Sequence, residues 1–414
     1  MQKAVAMHGS RRISDIECLR GIAVVFVVLF HARNTLFSWK IPLWDHIFDN
    51  YFSLWPGVDL FFAISGFVIA RTLLPTLRQC EGSLEFVRAA LVFWVRRVWR
   101  LLPSAWLWLL IMLAGSAVFN RSGVFDTFHA NFESTIAGML SIANVRFAAG
   151  FRVFGYGVST HYWSLSLEEQ FYLVLPLMIF LSGRRLTVVL LATTFLVFLL
   201  PQTTLLMSFR VHAILLGVLL AIFSEQPAYV LFEPVALKDR PGLGLAMLAL
   251  LLGFISSLAV FGQNIASYNV DIIAVLSATL VLIASYDRDY LFPYPVLQRV
   301  IGWIGSRSYA LYLVHVFAFV VTREFWFRMA SPGTNFSSTY TLRFTVTGLF
   351  LLVTFAELNY RLVERPLRKY GKDVAARLAG RPLFIPTMAK EDQAVPVATS
   401  AGDSLIEGEV PAGP

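Results

Sequence analysis

The sequence predicts an all-α fold, a polytopic transmembrane helix bundle with about ten spans. Of its 414 residues, 57% are hydrophobic and 14% are charged, whereas ordinary soluble domains carry about 25% charged residues. The mean hydropathy is +0.66. Because a soluble core cannot bury this much apolar surface, we expect the chain to lie in a lipid bilayer.

The predicted spans are apolar segments close to the roughly 20 residues that a crossing requires. The first follows a short basic N-terminus, residues 1–12, and Arg20 interrupts its start, so we expect an uncleaved span rather than a signal peptide. The sixth segment is the shortest. The ten segments run over residues 16–36, 55–75, 102–119, 163–182, 186–203, 210–224, 243–262, 270–286, 303–322 and 341–360.

Arginine and lysine cluster in alternate loops and at both ends of the chain. The positive-inside rule therefore places both termini in the cytoplasm. We expect a multi-pass protein of the inner (plasma) membrane. The longest loop on the opposite side, residues 120–162, is aromatic and is expected to carry short interfacial helices. Residues 371–414 are polar and rich in alanine, proline and glycine, which predicts a flexible cytoplasmic tail after a membrane domain of residues 13–370.

Two compositional features exclude other classes of site. The net charge of +8 does not indicate a nucleic-acid partner, because the basic residues lie at the ends of the apolar segments. Cys18 and Cys80 are the two cysteines, and both fall on the predicted cytoplasmic side. We therefore expect neither a disulfide nor a metal site.

Charged groups inside the predicted spans are the first candidates for a functional site. Each costs at least about 2.5–3.5 kcal/mol at the centre of a span, so a charge there invites a functional interpretation. Arg20 and His31 both lie in the first span, 11 residues apart. That spacing places them on one helix face, about 16 Å apart along the axis.

The rise per residue predicts that four ionisable side chains from different helices share one layer of the membrane. These are His31, Asp59, Glu168 and His315. A cytoplasmic arginine cluster, Arg96, Arg97 and Arg100, lies beneath them. Structural alternatives exist for each: a lone histidine is often a hydrogen-bonded core residue, Asp59 is in position to cap its helix, and the arginines fit a topology anchor.

Taken in order, these motifs resemble those of the acyltransferase-3 family of membrane O-acyltransferases. The resemblance extends from residue 13 to residue 370, and it is the family order of the motifs that makes it specific. The matching segments are Arg20 to His31 (R-x10-H), Gly57–Ile69, Arg97–Arg100 followed by Pro103, Trp163–Tyr172 (WSLSLEEQFY), Phe209–Gly217, Ser308–His315 (SYALYLVH) and Glu364–Pro366.

The resemblance implies a reaction and its substrates. The donor is acyl-CoA, most often acetyl-CoA, no metal takes part, and the acceptor is a hydroxyl group of a cell-surface or exported glycan. Some members add an extracytoplasmic esterase-like domain of the SGNH type, which residues 371–414 are too short to form, so the stand-alone form is expected. Membrane lipids and polysaccharide-assembly proteins are the expected partners.

Residue roles follow from the chemistry of acyl transfer, which needs a base, an oxyanion site and a carrier site. His31 is the predicted general base, oriented by Glu168, with Asp59 as the second candidate; a covalent acyl-His31 intermediate is the alternative. Arginine binds phosphate well, so the predicted acyl-CoA site consists of Arg20, Arg96, Arg97 and Arg100. The predicted acceptor site consists of Arg210, Tyr309, Tyr312 and His315.

Three other functions compete with this interpretation. Acylation of a small glycosylated natural product, such as a macrolide, uses the same site. A glycan transporter or flippase also places charges at mid-membrane, but its expected internal repeats and paired broken helices are not visible in the sequence. A purely structural membrane subunit does not explain the placement of Arg20, His31 and Glu168.

Overall fold

The computed structural model describes residues 13–150, 155–200, 203–261 and 268–380. Their regular structure is helical throughout, as the composition predicts, and short π-helical and 3₁₀ turns join several helices. The α-helices are α1 Ser14–His31, α2 Pro42–Asn50, α3 Gly57–Arg78, α4 Ser83–Val118, α5 Phe128–Met139, α6 Ala143–Gly150, α7 Tyr162–Ser182, α8 Leu186–Leu199, α9 Thr204–Ser208, α10 His212–Phe223, α11 Pro241–Phe261, α12 Asn269–Ser285, α13 Pro295–Ser306, α14 Ser308–Met329, α15 Thr341–Asn359 and α16 Arg365–Leu378.

Every predicted span overlaps one of these helices, but the count of about ten is not confirmed. Within the described ranges, six helical stretches are long and apolar enough to cross a membrane, or seven if one bent pair counts as a span. The six are Gly57–Arg78, Ser83–Val118, Tyr162–Leu199, Pro241–Val260, Ser308–Met329 and Ser338–Leu378.

The number of candidate spans is smaller than predicted for reasons that the helices themselves show. Helices α7 and α8, predicted as two spans, form one apolar stretch joined by the single turn Gly183–Arg185. Helix α10 has 12 residues and bends by 109° into the segment that follows it. Helix α12 has 17 residues. Helix α1 has 18 residues, and its first half carries Asp15, Glu17 and Arg20.

Helix α3 lies at the centre of the bundle, where it contacts α1, α4, α7, α10 and α12. Small residues let α3 and α10 approach closely, as is typical of membrane helix pairs. A Cβ atom on Gly66 would lie 2.2 Å from the carbonyl oxygen of Ile214, and one on Gly217 would lie 2.3 Å from that of Ala63. This close packing fixes the position of the α3 side chains.

Helices α1 and α14 complete the wall that faces α3. Helix α1 packs on α13 through a second glycine pair, since a Cβ atom on Gly21 would lie 2.4 Å from the carbonyl oxygen of Ile301. Helix α14 contacts α1, α4 and α15, and most of its side chains between Ser308 and Val320 are buried. Helices α1, α3, α4, α7 and α14 therefore surround a common interior.

The segment between α4 and α7 contains the short helices α5 and α6, in agreement with the prediction for residues 120–162. The buried carboxylate of Glu324 ties its start to α14 by accepting hydrogen bonds from the backbone N–H groups of Arg121 (2.8 Å) and Ser122 (2.9 Å). Helices α5 and α6 of this segment pack on α7, and α5 also packs on α4.

Helix α16 continues past residue 371, where the sequence predicts the start of a tail, and packs on α4. Gly371 lies against Trp99 of α4, where a Cβ atom would meet the Trp99 side chain at 2.3 Å. The rest of the predicted tail, residues 381–414, and the predicted N-terminal segment, residues 1–12, lie outside the described residues. Cys18 and Cys80 are free thiols.

Candidate active site

A cavity of about 90 Å³ lies where α1, α3, α4, α7 and α14 meet. Its walls combine apolar side chains with several cations, one carboxylate and several hydroxyl groups. The polar residues that line it are Arg20, Ser65, Arg97, Arg100, Ser164, Glu168, Tyr172, Ser308, Tyr309 and Tyr312. Because so many polar groups converge within an apolar bundle, this cavity is the first candidate for the active site.

Three guanidinium groups face the cavity. Arg97 and Arg100 are three residues apart on α4 and so share one helix face, and Arg20 reaches the cavity from α1. The guanidinium of Arg97 lies 5.5 Å from the ring centroid of Phe93 and 5.4 Å from that of Tyr172. Arg96 is exposed and does not line the cavity. Three of the four residues that were predicted to bind acyl-CoA therefore lie together in the cavity.

Glu168 is the carboxylate among the cavity-lining residues. It accepts hydrogen bonds from the hydroxyl of Ser65 (2.8 Å) and from the phenol of Tyr172 (3.0 Å). Glu168 therefore lies among the guanidinium groups that line the same cavity.

His31 belongs to a different part of the interior, a cluster of three imidazole rings. Its ring centroid lies 4.8 Å from that of His315 and 6.3 Å from that of His161, and the rings of His161 and His315 are 4.8 Å apart. The phenol of Tyr312 donates to the carbonyl oxygen of His161 (2.5 Å), which joins this histidine cluster to the cavity wall.

The predicted pairing of His31 with Glu168 does not occur as a direct hydrogen bond among the described residues. The reason is the start of α7. His161 immediately precedes this helix and already lies in the histidine cluster. Glu168 is seven residues further along the chain, which corresponds to about 10 Å of helix. The predicted common layer therefore separates into a histidine level and an arginine level.

Asp59 pairs with Arg210 rather than with a histidine. Arg210 Nε lies 3.3 Å from Asp59 Oδ1, and the two side chains are 5% and 1% exposed. The guanidinium also packs between two indole rings, with its centre 4.6 Å from the Trp55 ring and 4.9 Å from the Trp163 ring. Neither Asp59 nor Arg210 lines the cavity.

Tyr309 and Tyr312, predicted as acceptor residues, line the same cavity as the arginines. Tyr309 donates its hydroxyl proton to the carbonyl oxygen of Leu101 (2.6 Å). Tyr312 is hydrogen-bonded to the hydroxyl of Ser164 (2.6 Å). His315, the remaining predicted acceptor residue, lies one turn further along α14, in the histidine cluster.

Sequence reasoning missed His161 and four uncharged polar residues that line the cavity, Ser65, Ser164, Tyr172 and Ser308. His161 directly precedes the segment Tyr162–Tyr172, which was a usable signal, but the predicted loop boundary placed it outside the membrane. Ser65 and Tyr172 carry no charge at neutral pH, so the search for intramembrane charges passed over them.

Comparison with known proteins identifies related sequences. The profile of the family described as "acyltransferase domain" matches residues 13–358. Curated relatives include the O-acetyltransferase OatA of Staphylococcus aureus strains NCTC 8325 / PS 47, COL and MRSA252, each 26% identical over 390 residues. Each match covers 88% of this chain and 58% of the relative, so the chain spans less than two thirds of their length. No solved structure matches this chain significantly.

Proposed function

The chain belongs to the acyltransferase-3 family, and we propose that it is an O-acyltransferase, which transfers an acetyl group from acetyl-CoA to a hydroxyl group of an exported or cell-surface glycan. The donor is bound from the cytoplasmic side of the inner membrane, where both termini also lie. The acceptor reaches the histidine cluster from the opposite side. Metal ions take no part in this proposal.

The observation that carries the proposal is the arginine-lined cavity. Three guanidinium groups, from Arg20, Arg97 and Arg100, face one cavity carboxylate, Glu168. Glu17 also lies 3.5 Å from Arg20, which leaves the cluster with one more guanidinium group than carboxylates. Such a site favours an anionic ligand, and guanidinium groups bind phosphates through paired hydrogen bonds. The phosphates of CoA supply such an anion, and the slender pantetheine arm can extend from them between α1, α3, α7 and α14.

His31 is the proposed general base. Its Nδ1 lies 2.9 Å from the carbonyl oxygen of Val27. A carbonyl oxygen only accepts, so Nδ1 carries the proton and Nε2 carries the free lone pair. Nε2 is then able to take the acceptor's hydroxyl proton while the hydroxyl oxygen attacks the thioester carbonyl. A covalent acyl-His31 intermediate is the mechanistic alternative.

Glu168 has a different proposed role from the one that the sequence suggested. Its carboxylate is held by Ser65 and Tyr172 among the arginines. We assign it to organising the guanidinium groups for the donor. Asp59, bound to Arg210, is assigned to fixing α3 against the start of α10.

A deletion strain tests the proposed acceptor class. We expect its isolated surface and exported glycans to lack one acetyl increment, measured by mass spectrometry before and after mild alkaline de-esterification. Re-expression of the wild-type chain restores the increment, and re-expression of the His31→Ala variant does not. If the glycans are unchanged but a secreted small glycoside loses its acetyl group, the acceptor is the natural product instead. A flippase predicts loss of exported glycan without change in its acetylation.

A further inference from the structure

His315 is the most enclosed member of the histidine cluster. Its side chain is 0% exposed, and its ring centroid lies 4.8 Å from the rings of both His31 and His161. It therefore stands between the two other imidazoles. A buried polar group at such a position normally has a hydrogen-bond partner for each of its polar atoms.

One nitrogen of this ring is satisfied and the other is not. His315 Nδ1 lies 2.7 Å from the carbonyl oxygen of Tyr312, so Nδ1 carries the proton. Nε2 is buried and has no hydrogen-bond partner among the described residues. Nε2 of His315 thus offers a lone pair inside the protein, beside a ring whose own Nδ1 is fixed by Val27.

The surroundings of His315 contain few other groups able to take up a proton. His31 approaches from α1, His161 from the start of α7, and Tyr312 from the preceding turn of α14. The acids nearest along the chain are engaged elsewhere. Glu324 binds Arg328 at 2.6 Å, and Glu357 of α15 binds Arg307, which precedes α14, at 3.0 Å.

We infer that His315 is a positioning residue for His31, which rests on the proposed function. When Nε2 of His31 has taken the acceptor's proton, the lone pair on Nε2 of His315 accepts a hydrogen bond from that N–H. His315 thereby stabilises the imidazolium and aligns it. The sequence assigned an orienting role to Glu168. In other histidine-based acyltransfer sites a carboxylate orients the base through Nδ1–H, the position that the carbonyl oxygen of Val27 occupies here.

The complete step is balanced without a further reactant. The acceptor oxygen forms a bond to the thioester carbonyl carbon, and its proton moves to Nε2 of His31. The tetrahedral intermediate then breaks its C–S bond. The Nε2–H of His31 then turns from His315 to the departing thiolate and transfers its proton, the carrier leaves as CoA-SH, and both histidines return to their starting states.

The test compares two substitutions of His315 in the purified full-length protein. Glutamine keeps an amide oxygen that can accept from His31, and leucine does not. For acetyl transfer, we expect kcat to fall about 100-fold in His315→Leu, at the lower end of the range for proton-transfer groups, and about 10-fold in His315→Gln, which keeps an accepting atom. The KM for acetyl-CoA should stay within about twofold of wild type, because His315 does not line the donor cavity. His46→Gln, an exposed histidine of α2, is the control and keeps wild-type kcat.

A wild-type kcat in His315→Leu overturns the inference, and so does a raised KM with unchanged kcat, which would assign His315 to substrate binding. If His315→Leu does not yield folded protein by size-exclusion chromatography, His315→Gln decides. A kcat at least fivefold below wild type then supports the inference, and an equal kcat overturns it. The proposed function is judged separately from the His315 variants. Acetyl transfer by the wild-type protein supports it, and absence of transfer by the wild-type protein contradicts it.

Discussion

At the residue scale, the arginines of α4 show how a site is distinguished from a topology anchor. Arg96 is exposed, whereas Arg97 and Arg100 face the interior together with Arg20. An anchor for membrane orientation needs only a cation at the end of a span. Buried guanidinium groups are unfavourable unless anions pair with them, and Glu17 and Glu168 supply two carboxylates for the three guanidinium groups. The adjacent Arg96 therefore provides a matched control for a binding experiment.

We predict that Arg97→Ala and Arg100→Ala each weaken CoA binding by about tenfold or more. A charge-assisted hydrogen bond contributes about 1.5–3 kcal/mol, and 1.4 kcal/mol corresponds to a tenfold change in Kd. Isothermal titration of solubilised protein with CoA measures the effect, and Arg96→Ala should bind like the wild type. Equal losses of CoA affinity in all three variants would indicate that these arginines act only as a topology anchor.

The buried pair of Asp59 and Arg210 gives a second prediction at this scale. Asp59→Asn leaves a buried guanidinium without its counter-ion, which is expected to cost about 3–5 kcal/mol of stability. Thermal unfolding in detergent should show a lower midpoint, and the double variant Asp59→Asn with Arg210→Met should recover part of it. If Asp59→Asn instead unfolds like wild type yet loses turnover, Asp59 is an orienting residue of the reaction, as first predicted.

Individual residues also show how much of the site could be predicted from the sequence. Helical periodicity placed Arg20 and His31 on one face of α1, and the structure finds Arg20 in the cavity and His31 in the histidine cluster. Depth estimates failed for Glu168, because they assumed that α7 begins at the membrane surface. His161, which starts this helix inside the protein, could not be placed without that information.

At the element scale, the geometry of the site depends on how closely the helices approach. Gly66 and Gly217 bring α3 against α10, and Gly21 and Gly305 bring α1 against α13. Sequence periodicity predicts the existence of these helices. It does not predict which glycines lie at contacts, because Gly253 of α11, in a comparable apolar stretch, has open space around it.

We predict that Gly66→Ala destabilises the protein, since the added Cβ would lie 2.2 Å from a backbone carbonyl oxygen and force α3 and α10 apart. Overpacking of this kind costs about 1–3 kcal/mol. Because Ser65 directly precedes Gly66, the hydrogen bond from Ser65 to Glu168 should also be disturbed, and turnover should fall. Gly253→Ala is the matched control and should retain both the unfolding midpoint and the turnover. Equal behaviour of the two variants would contradict the proposed packing role.

At the scale of the whole molecule, composition predicts the class of fold, and packing decides its details. The apolar segments all become helices, but their number does not equal the number of long apolar stretches, since α7 and α8 join and α10 is bent. Helices α1, α3, α4, α7 and α14 enclose one interior with two levels: arginines and Glu168 in the cavity, and histidines beyond it. In the proposed function, the arginine level binds the anionic carrier and the histidine level carries out proton transfer.

Acetyl transfer by purified protein tests this division most directly. The wild-type chain and His31→Ala are reconstituted in liposomes and given radiolabelled acetyl-CoA together with glycan isolated from the deletion strain. We predict label in the glycan with the wild type and none with His31→Ala, although both bind CoA with equal affinity. Substantial labelling by a folded His31→Ala variant would contradict the assignment of the base. Transfer by neither protein, with CoA unbound, would contradict the account as a whole.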